Sequence, residues 1–436
     1  MTGQELYKKA KKLIPGGTQL LSKRPEMFLP DFWPSYYSKA KGVEVYDLEG
    51  KRYIDMSIMG VGACVLGYAD PDVDGAVKEA IDNSSMCTLN APEEVELAEL
   101  LCKLHPWAQM VRYGRSGGEA MSIAVRIARA HTNKDVIAFC GYHGWTDWYL
   151  AANLGDHKAL DGHLMPGLSP TGVPRGLTGT AIPFHYNQLD ELKTIIQSHR
   201  NQIAAIVMEP QRDHAPDPGF LETVRSIASE FGIVLIFDEI TTGFRMTAGG
   251  IHLLHGVNPD IAVFAKAMAN GYPMAAVIGT EKVMQAAQST FISSTNWTER
   301  TGPVAALAAI RKYQKENVAA HLIKIGDMIT EGWKKVAAES SLKLHTDASI
   351  PSLAHFCMPY PDESALATLF AQLMLQKGYL AFHQFKPSFA HQPRHIEEYL
   401  AALSDVFPIL AEAAEKGNAT DLLEGPQAKR GFYRLT

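Results

Sequence analysis

Six short apolar runs, MVRYGR, VIAFCG, AAIVMEP, IVLIFDE, IAVFAK and AAVIGT, punctuate residues 92–280 and are separated by stretches of helical apolar spacing. Strands alternating with helices predict an α/β unit built on a mostly parallel sheet. IVLIF is apolar on both faces, as a strand covered by helices on each side must be. In such sheets ligands bind beyond the carboxyl ends of the strands. The chemistry-bearing residues fall there: Arg115-Ser116, Gly141-Tyr142-His143, Glu209-Pro210, Asp238-Glu239 and Lys266.

The flanks read differently. Leu6, Tyr7, Ala10, Leu13 and Ile14 recur at helical spacing before Pro15-Gly16-Gly17, which predicts a short amphipathic helix. From Gly42, GVEVYDLEGKRYIDM alternates about an Asp-Leu-Glu-Gly turn, as a hairpin does. Residues 161–180 hold five glycines and three prolines, too many breakers for a regular element, and predict a long functional loop with a lid as one role. After Pro303 the pattern becomes helical, and weaker strand signals near 351–358 and 379–385 predict a second, smaller α/β domain.

Composition narrows the partners. At 46% hydrophobic residues over 436 positions the chain can bury a large core, so disorder is excluded. A net charge of -6 argues against nucleic acid or an anionic membrane, which reward a basic face, and favours a small molecule. Cys64, Cys87, Cys102, Cys140 and Cys357 include no C-x-x-C pair and read as buried thiols of a reducing compartment. The opening MTGQELYKKAKKLIPGG has no apolar core behind its lysines, and no uncharged run reaches spanning length, so a cytoplasmic protein is expected.

Four features carry chemistry, each with a plainer reading beside it. Arg115-Ser116-Gly117-Gly118-Glu119 joins a strand to a helix whose first amides and dipole suit a phosphate; a Ser116–Glu119 capping box needs no ligand. Asp238 closes an apolar strand, where an ionised carboxylate needs a cationic or hydrogen-bonding partner. A protonated heterocycle nitrogen would serve, as would a helix cap or Arg245, whereas metal binding with Glu239 lacks matching ligands. Lys266 closes IAVFA, where desolvation would make its amine a carbonyl nucleophile; a solvated lysine is the alternative. Tyr142 in CGYHGW suits stacking on a flat ligand or core packing. A phosphate cradle, a carboxylate for a pyridinium nitrogen, a Schiff-base lysine and a stacking ring together describe a pyridoxal phosphate site.

The order SGGEA, GYHG, EP, DEITTGFR and F-A-K resembles the class III aminotransferases of pyridoxal-phosphate fold type I, and LIPGG resembles their glutamate-1-semialdehyde aminomutase branch. The resemblance runs over roughly residues 10–310. It implies an N-terminal segment 1–55 belonging to a small domain, a large cofactor domain 56–305 with a mostly parallel central sheet, and a small-domain remainder 306–436. It implies that Lys266 forms the Schiff base and shuttles a proton, that Asp238 holds the pyridine nitrogen protonated, and that Ser116, Gly117 and Gly118 hold the phosphate. Tyr142 and Ile240 would flank the ring, with His143 and Glu209 among the cofactor-binding residues. Thr298, in Trp297-Thr298-Glu299-Arg300-Thr301-Gly302-Pro303, would reach the phosphate of the second subunit in a homodimer.

Several positions depart from the aminomutase pattern. TQLLSKRPE stands where a substrate-binding arginine is expected, leaving Lys23 or Arg24 for an anionic group, with a solvated pair as the alternative. RSGG replaces N-S-G-T, TERTGP replaces T-x-x-G-N-P, and Lys386 stands where a glutamate is expected. These departures favour transamination, with glutamate as donor, over an aminomutase or racemase. A non-catalytic binder of a phosphate ligand is the remote reading, because such a protein has no need of Lys266. Trp145 and Trp148 are either pocket walls or core. His252 with His255, and His391 with His395, read as structural rather than as metal ligands.

Overall fold

The computed structural model describes residues 1–163, 166–347, 349–429 and 431. The chain divides into two compact units, residues 71–319 and the combined segments 1–70 and 320–436. Leu164 and Met165, within the 161–180 stretch, lie outside the described residues.

The smaller unit opens with the expected helix, Gly3–Leu13. Its start is closed reciprocally: Glu5 N–H donates to Thr2 Oγ1 (3.1 Å) and Thr2 N–H donates to Glu5 Oε2 (2.7 Å). Strands β1 (Tyr37–Lys41), β2 (Glu44–Asp47) and β3 (Arg52–Met56) follow, β2 and β3 forming the expected antiparallel hairpin.

The larger unit contributes β4 (Met110–Gly114), β5 (Val136–Cys140), β6 (Ala181–Pro183), β7 (Ile203–Met208), β8 (Val234–Asp238), β9 (Ile261–Phe264) and β10 (Ala275–Gly279). They make one sheet in the order β4-β10-β9-β8-β7-β5-β6, in which β10 alone runs against its neighbours. Side chains alternate between two cores. Ile137, Phe139, Ala205, Val207 and Ile236 enter the one that holds helix Gly117–Thr132. Ala138, Cys140, Ile206, Met208, Leu235 and Phe237 enter the other with helix Phe220–Glu230. Both faces are dry, which is why these strands read as unbroken apolar runs. The 161–180 stretch is pinned to the first core by Val173, and the Leu168 carbonyl accepts a bond from Asn153 Nδ2 (2.6 Å).

Beyond residue 320 the chain returns to the smaller unit with β11 (His345–Asp347), β12 (Ala354–Cys357), β13 (Tyr379–Ala381) and β14 (Gln384–Phe385). β13 pairs in parallel with β3, so both ends of the chain share one sheet, as expected of a small domain formed by both termini. One expectation fails: Cys87 and Cys357 are exposed and only Cys140 is buried, because the first two lie where no core covers them. No helix among the described residues is long and apolar enough to cross a membrane.

Candidate active site

β5, β7, β8 and β9 are sheet neighbours running in one direction, so the residues past their carboxyl ends stand side by side, about 4.8 Å per strand. This edge carries His143 after β5, Glu209 after β7, Asp238 at the end of β8 and Lys266 after β9.

Lys266 sits at φ 45°, a left-handed conformation that costs a side-chain-bearing residue about 1–2 kcal/mol. It opens the tight turn Lys266–Ala269 that follows β9. Nζ donates to Thr241 Oγ1 at 3.0 Å. Burial, then the Arg212 guanidinium, draw the ammonium down from 10.5 to about 8, against the opposing pull of Glu209 and Asp238. The amine is therefore poised as a nucleophile and proton carrier near neutral pH.

Asp238 is 3% exposed, and its Oδ1 accepts the Ile240 N–H at 3.0 Å. Oδ2 lies 2.8 Å from His143 Nδ1, and His143 Nε2 lies 3.0 Å from the Cys140 carbonyl. A carbonyl can only accept, so Nε2 carries a proton. A second proton then lies between Nδ1 and Oδ2 whichever of the two owns it. Arg245, weighed as a partner for Asp238, sends its Nε to the Thr241 carbonyl at 2.8 Å and so braces the turn that presents Thr241 to Lys266.

The second carboxylate of the pair, Glu239, has a separate role. Fully buried, it accepts from His252 N–H (2.9 Å), Thr242 Oγ1 (2.6 Å) and His252 Nδ1 (2.7 Å). Trp107 Nε1 donates to His252 Nε2 at 3.0 Å, so His252 is structural. His391 is likewise buried, between Ser388 and the Asp55 carbonyl. Among the described residues no group of three His, Cys, Asp or Glu could hold a metal.

At the start of helix Gly117–Thr132, Glu119 turns back to the N–H groups of Arg115 (2.6 Å) and Ser116 (3.4 Å). The amides of Gly117 and Gly118 have no acceptor among the described residues, and Ser116 is exposed beside them. This is an anion cradle in the electrostatic sense: two open N–H groups, a hydroxyl and the positive end of a helix dipole. Ile240 lies directly over it, since a Cβ on Gly117 would stand 2.9 Å from Ile240 Cδ1. Tyr142 and Ile240 are both partly buried at the same core margin.

The aromatic pair separates: Trp148 is core at 6% exposure, whereas Trp145 is 72% exposed with its ring edge 3.3 Å from where a Gly118 Cβ would be. Thr298 is exposed and its hydroxyl donates to the Thr295 carbonyl at 3.0 Å. Lys23 and Arg24 belong to the smaller unit; Lys23 is exposed, and Arg24 packs on Gly16, where any Cβ would stand 2.2 Å from its Nη2.

Two residues here, Thr241 and Arg212, escape motif reading, as do the contacts of a third, Arg115. Thr241 lies inside DEITTGFR. Arg115 sends Nε to the Asn296 carbonyl (3.0 Å) and Nη2 to the carbonyls of Trp297 (3.0 Å) and Glu299, clamping the segment that bears Thr298. The two departures RSGG and TERTGP are thus in contact. Arg212 pairs with Glu209 through Nη1, at 3.1 and 3.0 Å to the two oxygens. An arginine three residues after the carboxylate that follows β7 was the available signal.

The donor set fits pyridoxal phosphate. Open helix-start amides suit its phosphate, Asp238 with a shared proton suits its ring nitrogen, and a desolvated Lys266 suits its carbonyl. Fold and site together define a fold-type-I pyridoxal-phosphate transferase. The model for the family "Aminotransferase class-III" matches residues 31–372, and the chain belongs to that family. It is a pyridoxal-phosphate-dependent enzyme acting on small molecules. It is 35% identical to a 3-aminobutyryl-CoA aminotransferase of Cloacimonas acidaminovorans over 78% of this chain and 80% of that one. It is 31% identical to a glutamate-1-semialdehyde 2,1-aminomutase of Roseiflexus castenholzii, over 95% and 99% of the respective chains. The solved structure of the PLP-bound FumI protein of Sphingopyxis sp. MTA144 superposes with a TM-score of 0.85 at 23% identity, covering 94% of this chain and 97% of that one.

Proposed function

We propose that this enzyme is a cytoplasmic, homodimeric transaminase that moves an amino group between an amino-acid donor, glutamate foremost, and a small carbonyl acceptor. The observation that carries this reading is the placement of Asp238 at the end of β8 and Lys266 just past the end of its parallel neighbour β9, with Lys266 drawn down to about 8. Pyridoxal phosphate, when bound, supplies a carbonyl that condenses with amines and a ring that withdraws electrons. Lys266 Nζ, oriented by Thr241, is the amine that holds and returns a proton at the reacting carbon. Asp238, held by His143 at 2.8 Å, would keep the ring nitrogen of the bound cofactor protonated. The Gly117 and Gly118 amides with Ser116 bind the phosphate, Tyr142 and Ile240 flank the ring, and Glu209 braces Tyr142 through its N–H (3.4 Å). Thr298 completes the phosphate site of the partner subunit. Replacing Lys266 by Ala is expected to abolish turnover in a folded protein; undiminished activity would refute the assignment.

A second reading, an aminomutase or racemase, is supported by the near full-length likeness to a glutamate-1-semialdehyde aminomutase. It uses the same Lys266 and Asp238 but returns nitrogen to the same carbon skeleton. Turnover that requires no separate keto-acid acceptor would select it.

A further inference from the structure

We propose that Arg212 recognises the amino donor, pairing with a carboxylate carried on or beside the amine-bearing carbon. Donors with that carboxylate are then preferred over amines without it. The inference rests on the transaminase reading.

Arg212 stands on the same sheet edge as the reacting groups. Glu209, the first residue after β7, is held at that edge, with Oε2 3.4 Å from the Tyr142 N–H and 2.9 Å from where a Gly141 Cβ would lie. Glu209 therefore holds the guanidinium past the end of β7, the strand next to the one bearing Asp238. Only Nη1 is committed, to the two oxygens of Glu209; Nε and Nη2 have no acceptor among the described residues. The pair is also unequally covered, with Glu209 6% and Arg212 24% exposed at the side chain. Among neighbouring charges, Arg212 acts most strongly on Lys266.

A planar fork with two donors to spare, anchored by a buried carboxylate, is the geometry that recognises a second carboxylate in bidentate fashion. A lysine or glutamine here would lack either the fork or the charge. An anion could also come from the cofactor itself, so the test must separate cofactor binding from donor choice.

The experiment compares the holoenzyme with Arg212→Gln and Arg212→Lys. The donors are L-glutamate and L-alanine, each set against the analogue with a methyl group in place of the carboxylate, 4-aminopentanoate and isopropylamine. Pyridoxal phosphate affinity of each apoenzyme is measured alongside. For Arg212→Gln we expect a 10- to 100-fold loss in kcat/KM for the amino acids, mainly through KM. The methyl analogues share any effect of the lost charge on Lys266, so their loss should be at least about 10-fold smaller than that of the amino acids, cofactor affinity should be unchanged, and Arg212→Lys should recover part of the loss. Equal losses for both donor types, a tenfold fall in cofactor affinity, or a wild-type preference for the methyl analogues would overturn the proposal. If the wild type turns over no donor, the transaminase reading fails by itself. Succinate binding, followed by the cofactor's absorbance, then decides: equal affinity in wild type and Arg212→Gln refutes the role of Arg212.

Discussion

In the cofactor-free enzyme the Lys266 amine should titrate near pH 8 rather than near 10.5. At pH 7 a group at 8 is about one-tenth neutral, against roughly three parts in ten thousand at 10.5, a gain of about 300-fold in reactive amine. The fall from 10.5 to about 8 corresponds to about 3 kcal/mol of disfavoured charge. The folded value lies below the unfolded one, so the apoenzyme should gain up to that amount of stability as pH rises from about 8 to 10.5, and Lys266→Met should not. Competitive labelling with acetic anhydride, read at Lys266 by peptide mass, measures the titration directly. A half-maximal rate near pH 8 is expected. Arg212→Gln should move the midpoint up, since it removes a repelling cation, and Glu209→Gln should move it down. A midpoint above 10, or variants moving it the other way, would refute the electrostatic argument.

Asp238→Asn should leave the protein folded and lower kcat by roughly 10²–10³, because an amide cannot hold a proton on the cofactor nitrogen; steady-state kinetics checks it. Gly243→Ala would put a Cβ 2.6 Å from Phe264 and 2.7 Å from the Glu239 carbonyl, and backbone cannot step aside cheaply, so a loss of about 1–3 kcal/mol, seen as a Tm drop of several degrees, is expected. Arg115→Ala frees three carbonyls of residues 296–299 and should make that segment measurably more sensitive to limited proteolysis while weakening retention of the cofactor.

What could be read in advance followed from physics that is local in sequence. β5, β7, β8 and β9 were legible because both faces are buried, which leaves an uninterrupted apolar run, and their ends fixed the positions of His143, Glu209, Asp238 and Lys266. β6 was not, since Ala181–Pro183 is three residues long and carries no such run. Arg212, and the contacts of Arg115, escaped because the meaning of each lies in what it touches. The carbonyls that Arg115 binds are some 180 residues away, and Arg212 matters only once β7, β8 and β9 are neighbours. Glu239 looked like half of a pair with Asp238, yet successive side chains on a strand point to opposite faces, which turns it toward His252 and into the core.

The central claim is that Lys266 and Asp238 run a transamination half-reaction on one bound cofactor. The direct test is the visible spectrum of the purified enzyme, loaded with pyridoxal phosphate, before and after L-glutamate, with 2-oxoglutarate assayed in the same cuvette. Loss of the yellow band, with release of one 2-oxoglutarate per site, is expected. A colourless protein that takes up no cofactor, or a yellow one that neither glutamate nor any other amino donor changes, would contradict the account.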